Sequence, residues 1–241
     1  MLKHLIVVLL LCSTLWGARS FNNTGERLSD STPSGLDLTA FTICSWAYVV
    51  TSPAVGGTIF TVQVGANGHS LLIMSSTNQV QGIRTTSWTA RSALSTETLT
   101  ANTWYCVCST YDGVGSAPKV FISSGEGIST TMAEVSYASQ TAGTGTDATT
   151  PTNTLIGNNS AFNRTFLGRL AEILVYTTAL TVDEMTSLSR GYPVSGAVCY
   201  VPLLGRVTPE LDRSGSGNSY VVTSATGVDH APIAPSFGWW N

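Results

Sequence analysis

The stretch that decides the fold is Phe166–Gly191, FLGRLAEILVYTTALTVDEMTSLSRG. Its first half alternates with the period of two that is typical of a β-strand. One predicted face carries Ala171, Ile173 and Val175, and the other carries Leu170, Glu172, Leu174 and Tyr176. A strand is therefore predicted over Leu170–Tyr176.

After this strand the pattern changes to that of a short helix. Thr181 and Glu184 have the Thr-x-x-Glu spacing of a capping box, and apolar residues follow at helical spacing. Arg190 lies in the last predicted turn, and Gly191 can close the helix. The sequence predicts one helix near residues 181–190, directly after a strand.

The composition favours strands and turns over further helices. The chain has 241 residues, of which 43% are hydrophobic and only 10% are charged, with 23 glycines. This length is enough for one sizeable core, and we expect a single domain over residues 18–241. Further strands are predicted at Arg19–Ser29, Phe41–Val50, Gly57–Val64, His69–Met74, Gln79–Thr85, Trp88–Leu94, Trp104–Tyr111, Lys119–Ser123, Thr154–Gly157, Ala197–Leu204 and Ser219–Thr223. Ser139–Asn153 has no apolar periodicity and is predicted to be a long polar loop.

Residues 1–17 have the pattern of a secretory signal peptide. Lys3 and His4 precede the apolar run Leu5–Trp16, which is too short to span a bilayer. The alternative is an upstream start codon before a domain that begins near Ala18, because no spacer separates the apolar run from the first strand. We take the export signal as the prediction, and with it a secreted protein.

Charge excludes two classes of partner. The formal net charge is −3, and the basic residues are scattered without a run. Nucleic acid is not expected as a partner, because phosphate binding needs clustered Lys or Arg. The sequence has no basic amphipathic segment of the kind that binds a membrane surface. Membrane insertion of the mature chain is not expected either.

Four cysteines follow the predicted signal, at Cys44, Cys106, Cys108 and Cys199. An even number in an exported protein favours disulfides. Cys106 and Cys108 share a strand face and are not expected to bond each other, whereas each could reach a neighbouring strand, with Cys44 as one candidate partner. Buried free thiols are the alternative, because small cysteines also suit a sheet core.

Several blocks resemble the laminin-G-like branch of the concanavalin A-like jelly rolls, in the order and spacing of that family. The blocks are RSFNNTGERLS at Arg19–Ser29, FTICSW at Phe41–Trp46, WYCVCSTYDG at Trp104–Gly113, LIG at Leu155–Gly157 and FLGRLAEILVY at Phe166–Tyr176. The segment 197–232 resembles a tail found in bacterial, phage and environmental members. The chain departs from the family pattern at Asn23, where glycine is usual, and in its cysteines.

The resemblance implies an all-β fold, a two-sheet antiparallel jelly-roll sandwich. It also implies a role in binding or adhesion, with carbohydrate or another surface ligand recognised by rim loops or an exposed sheet face. Some branches of the family bind calcium in rim loops.

Aromatic side chains are the first candidates for a sugar platform, because a flat ring covers the apolar face of a pyranose. The ligand-binding candidates are Trp88, Tyr48 and Tyr192, with Trp239 and Trp240 in the tail. Trp46 and Trp104 match core positions of the family and are expected to pack internally.

Oxygen-rich loops make Ca²⁺ the one plausible cofactor. Asp112, Asp212 and Asn218 are the candidate ligands, with Asp147 in the polar loop. An aspartate in a hairpin turn also sets the turn by itself, so each residue has a structural explanation as well.

Catalysis finds little support. Retaining glycosidases of a related fold carry Glu-x-Asp-x-Glu on one strand, which supplies a nucleophile and an acid. The nearest stretch here, Glu210-Leu-Asp-Arg-Ser214, lacks the last carboxylate and is predicted to lie in a Gly/Ser-rich turn rather than a strand. The predicted function is a non-catalytic binding module for glycan or another surface ligand. A structural or particle-surface protein is the first alternative, and a glycan-processing enzyme is the second.

Overall fold

A computed structural model describes residues 17–52, 56–64, 67–73, 77–84, 91–113, 115–127, 129–142 and 150–231. Residues 1–16 of the predicted signal peptide, Trp88, Asp147, Trp239 and Trp240 lie outside these ranges. The elements are β1 (Gly17–Phe21), β2 (Arg27–Asp30), β3 (Phe41–Val49), β4 (Gly57–Val64), β5 (Asn67–Ile73), β6 (Gln79–Arg84), β7 (Arg91–Thr98), β8 (Trp104–Tyr111), β9 (Lys119–Ser123), β10 (Met132–Glu134), β11 (Tyr137–Thr141), β12 (Asn153–Ile156), β13 (Gly168–Tyr176), α1 (Val182–Ser189), β14 (Ala197–Val201), β15 (Glu210–Leu211), β16 (Ser219–Thr223) and β17 (Thr226–Asp229).

The strands form two antiparallel sheets, as the sequence predicts. The front sheet has the order β10-β9-β8-β3-β13-β1-β17, with β14 also paired to β13. The back sheet has the order β11-β7-β6-β5-β4-β12-β2-β16-β15. Apolar side chains from the inner faces of both sheets fill the space between them, which is the packing of a jelly-roll sandwich.

A second apolar cluster lies on the outer face of the front sheet, and we call it the outer cluster. It holds strand side chains that alternate with those of the inner core, among them Trp46, Cys106 and Phe121, together with Met185 of the helix. Helix α1 covers part of this face, and its Thr186 hydroxyl accepts a hydrogen bond from the backbone N–H of Met132 at 3.1 Å. The front sheet therefore has apolar packing on both faces.

The predicted helix is confirmed with its capping box. The Thr181 hydroxyl accepts from the backbone N–H of Glu184, and the Glu184 carboxylate accepts from the backbone N–H of Thr181. Arg190 is the C-cap and Gly191 has φ 82°. The helix therefore begins and ends where its sequence signals predict.

The predicted faces of β13 are wrong beyond Ala171. Leu170, Ile173 and Val175 lie in the inner core, whereas Ala171, Leu174 and Tyr176 lie in the outer cluster. The register with β3 shifts between Ala171 and Leu174, and Glu172 has φ 55°. A bulge with an extra residue reverses the alternation, which strict period-two counting cannot show.

Two further expectations need correction. The predicted strand Arg19–Ser29 is two strands in different sheets, β1 and β2, because a turn at Gly25 with φ 89° separates them. The predicted loop Ser139–Asn153 begins with the end of β11, whose residues 138–141 are exposed. A strand without a buried face has no apolar alternation to detect.

The cysteines resolve into one disulfide and two thiols. Cys44 on β3 bonds Cys108, which lies directly opposite on β8. Cys106 and Cys199 are free and buried. Burial raises the pKa of the Cys106 thiol to about 12, so this thiol is protonated at neutral pH.

Candidate functional site

Five side chains form a straight row across the outer face of the front sheet. Thr226, Ser20, Arg169, Tyr48 and Trp104 are directly opposite one another on β17, β1, β13, β3 and β8. We call this set the Tyr48 row. Residues two positions along these strands belong to or pack against the outer cluster, which places the row on the same face because side chains alternate along a strand.

Rings and a guanidinium stack in the middle of the row. The Arg169 Cζ lies 4.8 Å from the centroid of the Tyr48 ring. The Tyr48 and Trp104 ring centroids are 5.3 Å apart, with the planes tilted by 57°. These contacts have the geometry of a cation–π pair next to an aromatic pair, and both hold the Tyr48 ring in place.

Exposure increases along the row from Trp104 towards β17. Trp104 is buried, as expected for a core position, and its backbone N–H donates to Glu126 Oε1 at 2.8 Å. Tyr48, Arg169 and Ser20 are partly exposed, and Thr226 is exposed. The row is therefore a surface feature anchored at its Trp104 end.

A concavity of about 310 Å³ adjoins Ser20 and Arg169. Its lining consists of Ser20, Phe21, Asn22, Val50, Thr51, Leu167, Gly168, Arg169 and Val228. The backbone N–H groups of Val50 and Thr51 both donate to Leu167 O, at 3.0 and 3.4 Å, which fixes the loop after β3 against the start of β13.

Gly168 makes this close approach possible. A Cβ at this position would collide with the carbonyl oxygen of Tyr48. The glycine of the Phe-Leu-Gly block therefore permits the strand contact that brings Arg169 beside Tyr48.

A second groove lies at the opposite end of the front sheet and has a volume of about 430 Å³. Asp112, Lys119 and Glu134 line it over an apolar wall that includes Leu180. Glu134 pairs with Lys119 at 3.4 Å and accepts from the Tyr137 hydroxyl at 2.9 Å. Burial, together with Glu134, raises the pKa of Tyr137, so this hydroxyl remains a donor. Asp112 lies in this groove and not beside the Tyr48 row.

The other two predicted metal ligands meet each other. Asn218 Nδ2 donates to Asp212 Oδ2 at 2.7 Å. Asp212 Oδ1 also accepts from the backbone N–H groups of Tyr200 and Ser214, both at 2.8 Å. These bonds hold the turn after β15. Within the described residues, no group of three or more His, Cys, Asp or Glu is arranged to hold a metal ion.

Tyr192 lies apart from both concavities. It follows α1, is 55% exposed, and its backbone N–H donates to Ser187 O at 3.0 Å. The structure therefore brings together one predicted platform residue, Tyr48, with a residue that the sequence analysis did not single out, Arg169. The only sequence signal for Arg169 is its position two residues before Ala171 on the outer face, and the register with Tyr48 is a property of the folded sheet.

Comparisons with known proteins identify the fold family. Residues 22–186 match the family model described as the concanavalin A-like lectin/glucanases superfamily, and the chain belongs to this family. Among curated proteins, none matches the chain.

Three solved structures are similar in fold. A candidate carbohydrate binding protein from Bacteroides ovatus has 21% identity and a TM-score of 0.66, with 92% of this chain and 62% of that chain covered. The SAP-like pentraxin of Limulus polyphemus has 13% identity and a TM-score of 0.58, with 90% and 96% covered. The CBM40 module of the Ruminococcus gnavus IT-sialidase, bound to α2,3-sialyllactose, has 15% identity and a TM-score of 0.52, with 72% and 96% covered.

At these identities the likeness concerns the fold alone. The chain spans less than two thirds of the Bacteroides ovatus protein. In the described part of the chain, no helix is both long enough and apolar enough to cross a membrane.

Proposed function

We propose that this protein is a non-catalytic carbohydrate-binding module and that its ligand lies across the Tyr48 row. The observation that carries the proposal is the stacking of Arg169 on the ring of the partly exposed Tyr48, where Arg169 also lines a concavity of about 310 Å³. Aromatic rings with neighbouring hydroxyl and amide groups suit a pyranose, which has an apolar face and a polar edge. The family and the carbohydrate-binding neighbours support the same class of ligand.

An extracellular location is part of this proposal. A disulfide between Cys44 and Cys108 is typical of proteins that fold outside a reducing cytosol. Glycans on cell or particle surfaces are then the accessible ligands.

The test is a glycan array with the purified protein and two matched variants, each run with calcium and with chelator. We expect selective binding by the wild type, loss in Tyr48→Leu and no change in Tyr192→Ala. Leucine keeps an apolar side chain against the outer cluster but removes the ring. Thermal unfolding of each variant confirms that a loss of binding is not a loss of fold.

Other outcomes would redirect the assignment. Binding lost with chelator would place calcium at the site and return attention to Asp112, Asp212 and Asn218. Binding lost in Tyr192→Ala, but not in Tyr48→Leu, would move the site to the segment after α1. Absence of any glycan binding would contradict the proposal and favour the structural or particle-surface alternative, which a stable oligomer in solution would support.

The groove that holds Asp112 and Glu134 is where the enzyme alternative would reside, because two carboxylates line it. Incubation with the glycans that bind the array, followed by detection of new reducing ends, tests this alternative. Cleavage that disappears in Asp112→Asn would overturn the non-catalytic assignment.

A further inference from the structure

We propose that the ligand of the Tyr48 row is an acidic polysaccharide, bound along its chain, with one of its carboxylates paired to Arg169. This inference rests on the proposed function and specifies the class of glycan. It follows from the chemistry that Arg169 presents, from the charges around it and from the direction of the row.

The Arg169 guanidinium packs with its face on a ring, and this contact orients the side chain. The edge of the guanidinium is left available to a ligand. The contact with Tyr48 is made over the ring, at 4.8 Å from the centroid. The N–H donors of a guanidinium lie in its plane, so a stacked arginine keeps the two-donor edge that matches a carboxylate. Among the described residues, the Arg169 side chain has this ring contact and no hydrogen bond or ion pair.

Three other arginines in the described chain use their donors within the protein. The Arg19 side chain donates to Glu210, Ala225 O and Val207 O. Arg190 Nε donates to Thr130 O at 2.7 Å. Arg27 lies over Phe162 at 4.0 Å, but its Nη1 also donates to Gly25 O at 2.9 Å. Arg169 differs from these because its contact orients the side chain without occupying a donor.

Two acidic groups near the row are held by backbone donors, and Glu172, three positions after Arg169 on β13, pairs with His230. Glu126 accepts from the Trp104 N–H at the buried end of the row. Glu26 accepts from the backbone N–H groups of Asn22, at 2.6 Å, and Asn23, at 3.2 Å, in the turn beside the concavity. Neither carboxylate contacts Arg169, so this part of the surface offers a positive charge to an anionic ligand.

The direction of the row favours an extended chain over a single terminal sugar. The four strands that carry its exposed part, from Tyr48 to Thr226, lie about 4.8 Å apart, which makes that part about 14 Å long. Ser20 and Thr226 add hydroxyl groups beyond Arg169, and β17 is the last strand of the front sheet among the described residues. Several consecutive sugar units can therefore contact the row at the same time.

The test is calorimetric titration with matched acidic and neutral oligosaccharides. The probes are oligomers of galacturonate, glucuronate and mannuronate, each compared with its carboxyl-reduced counterpart, and neutral oligomers of glucose and galactose. We expect at least one uronate oligomer to bind, its reduced form to bind about ten- to a hundredfold more weakly, and affinity to increase from one sugar unit to four. Increasing salt should weaken binding of the acidic form selectively.

Variants separate the role of Arg169 from that of the fold. Arg169→Gln should lower the affinity for the uronate oligomer by about ten- to a hundredfold, and Arg169→Lys should recover only part of it, because lysine keeps the charge but not the paired donors. Arg27→Gln is the matched control, an arginine over a ring outside the row, and should bind as the wild type does. Melting curves verify that each variant is folded.

The outcomes distinguish this inference from the proposed function. Equal binding of acidic and reduced oligomers, or binding unaffected by Arg169→Gln, would overturn the acidic specificity and leave glycan binding intact. Equal affinity for one unit and for four would overturn binding along the chain. Binding of no oligosaccharide would overturn both proposals.

Discussion

Glu172 is the residue where the outer face of the front sheet departs from regular β-structure. It has φ 55° within the β13 bulge, and its Oε1 accepts from His230 Nε2 at 2.9 Å. The side chains of both partners are buried, and His230 immediately follows the edge strand β17. The bulge therefore directs the Glu172 carboxylate towards the segment that follows β17.

This pair predicts a pH-dependent contribution to stability. Burial alone would lower the pKa of His230, but the hydrogen bond to Glu172 and its charge outweigh burial and raise the pKa above its ordinary value. The stabilisation is then fully present below the pKa of about 6.5 of an unfolded histidine and is lost as the pH rises through the raised value.

We expect His230→Gln to lower the free energy of unfolding by about 1–2 kcal/mol at about pH 5.5 and by less at about pH 9. Urea unfolding of both proteins at each pH measures this. Burial and the charge of Arg84 lower the pKa of His69, so the contribution of His69 to stability depends on pH in the opposite direction. The variant is therefore compared with the wild type at the same pH. A larger loss at the higher pH would contradict the assignment.

At the scale of elements, α1 illustrates how a short helix is stabilised by its cap and by packing. Helices of eight residues are marginal alone, so the capping box and the apolar contacts of Met185 and Leu188 with the outer cluster decide its stability. The cap satisfies N–H groups of the first turn that have no partner within the helix.

We expect Thr181→Ala to lower the free energy of unfolding by about 1 kcal/mol, because it removes the side chain that accepts from Glu184. Thr178→Ala is the control, since Thr178 is exposed and lies just before the helix. Chemical denaturation measures both changes. Equal effects of the two substitutions would show that the cap is not the cause.

The disulfide links two neighbouring strands, β3 and β8, whose cysteines are 64 positions apart in the sequence. Closing a loop of this size restricts the unfolded chain, so we expect Cys44→Ser/Cys108→Ser to cost about 2–4 kcal/mol in non-reducing urea unfolding. Cys106→Ala is the control, because it removes a buried thiol from the same face without removing a cross-link. If Cys106→Ala lowers the free energy of unfolding by a similar amount, lost packing rather than the lost cross-link is the main cause.

At the scale of the whole molecule, the segment after the family-matched residues 22–186 completes both sheets. It adds β14 and β17 to the front sheet and β15 and β16 to the back sheet. A buried ion pair joins this segment to the first strand, with Arg19 Nε 2.9 Å from Glu210 Oε1 and both side chains at 7% exposure or less.

We expect Glu210→Gln to lower the free energy of unfolding by about 3 kcal/mol, because the buried Arg19 charge would lose its counterion. Glu134→Gln removes an exposed partner of Lys119 and should change the free energy of unfolding by less than about 1 kcal/mol. Thermal and urea unfolding of the two variants provide the comparison. Equal effects would mean that the Glu210 pair does not hold the C-terminal segment in place.

The sequence by itself determined the elements whose signals are local. The β13 strand, the α1 capping box, the hairpin of β8 and β9 and the two-sheet class follow from alternation, caps and turn residues, which depend on neighbours a few positions away. Tyr48 was also within reach of the sequence, because an aromatic on a strand is a recognisable candidate.

Only the tertiary structure decided what depends on register between distant segments. It paired Cys44 with Cys108, reversed the faces of β13 at Glu172 and placed Arg169 against Tyr48. Side chains meet across strands because of hydrogen-bond register and bulges, and a one-residue shift moves each of them to the opposite face. The sequence therefore shows which residues could form the site, but the contacts between them depend on the strand register of the folded sheet.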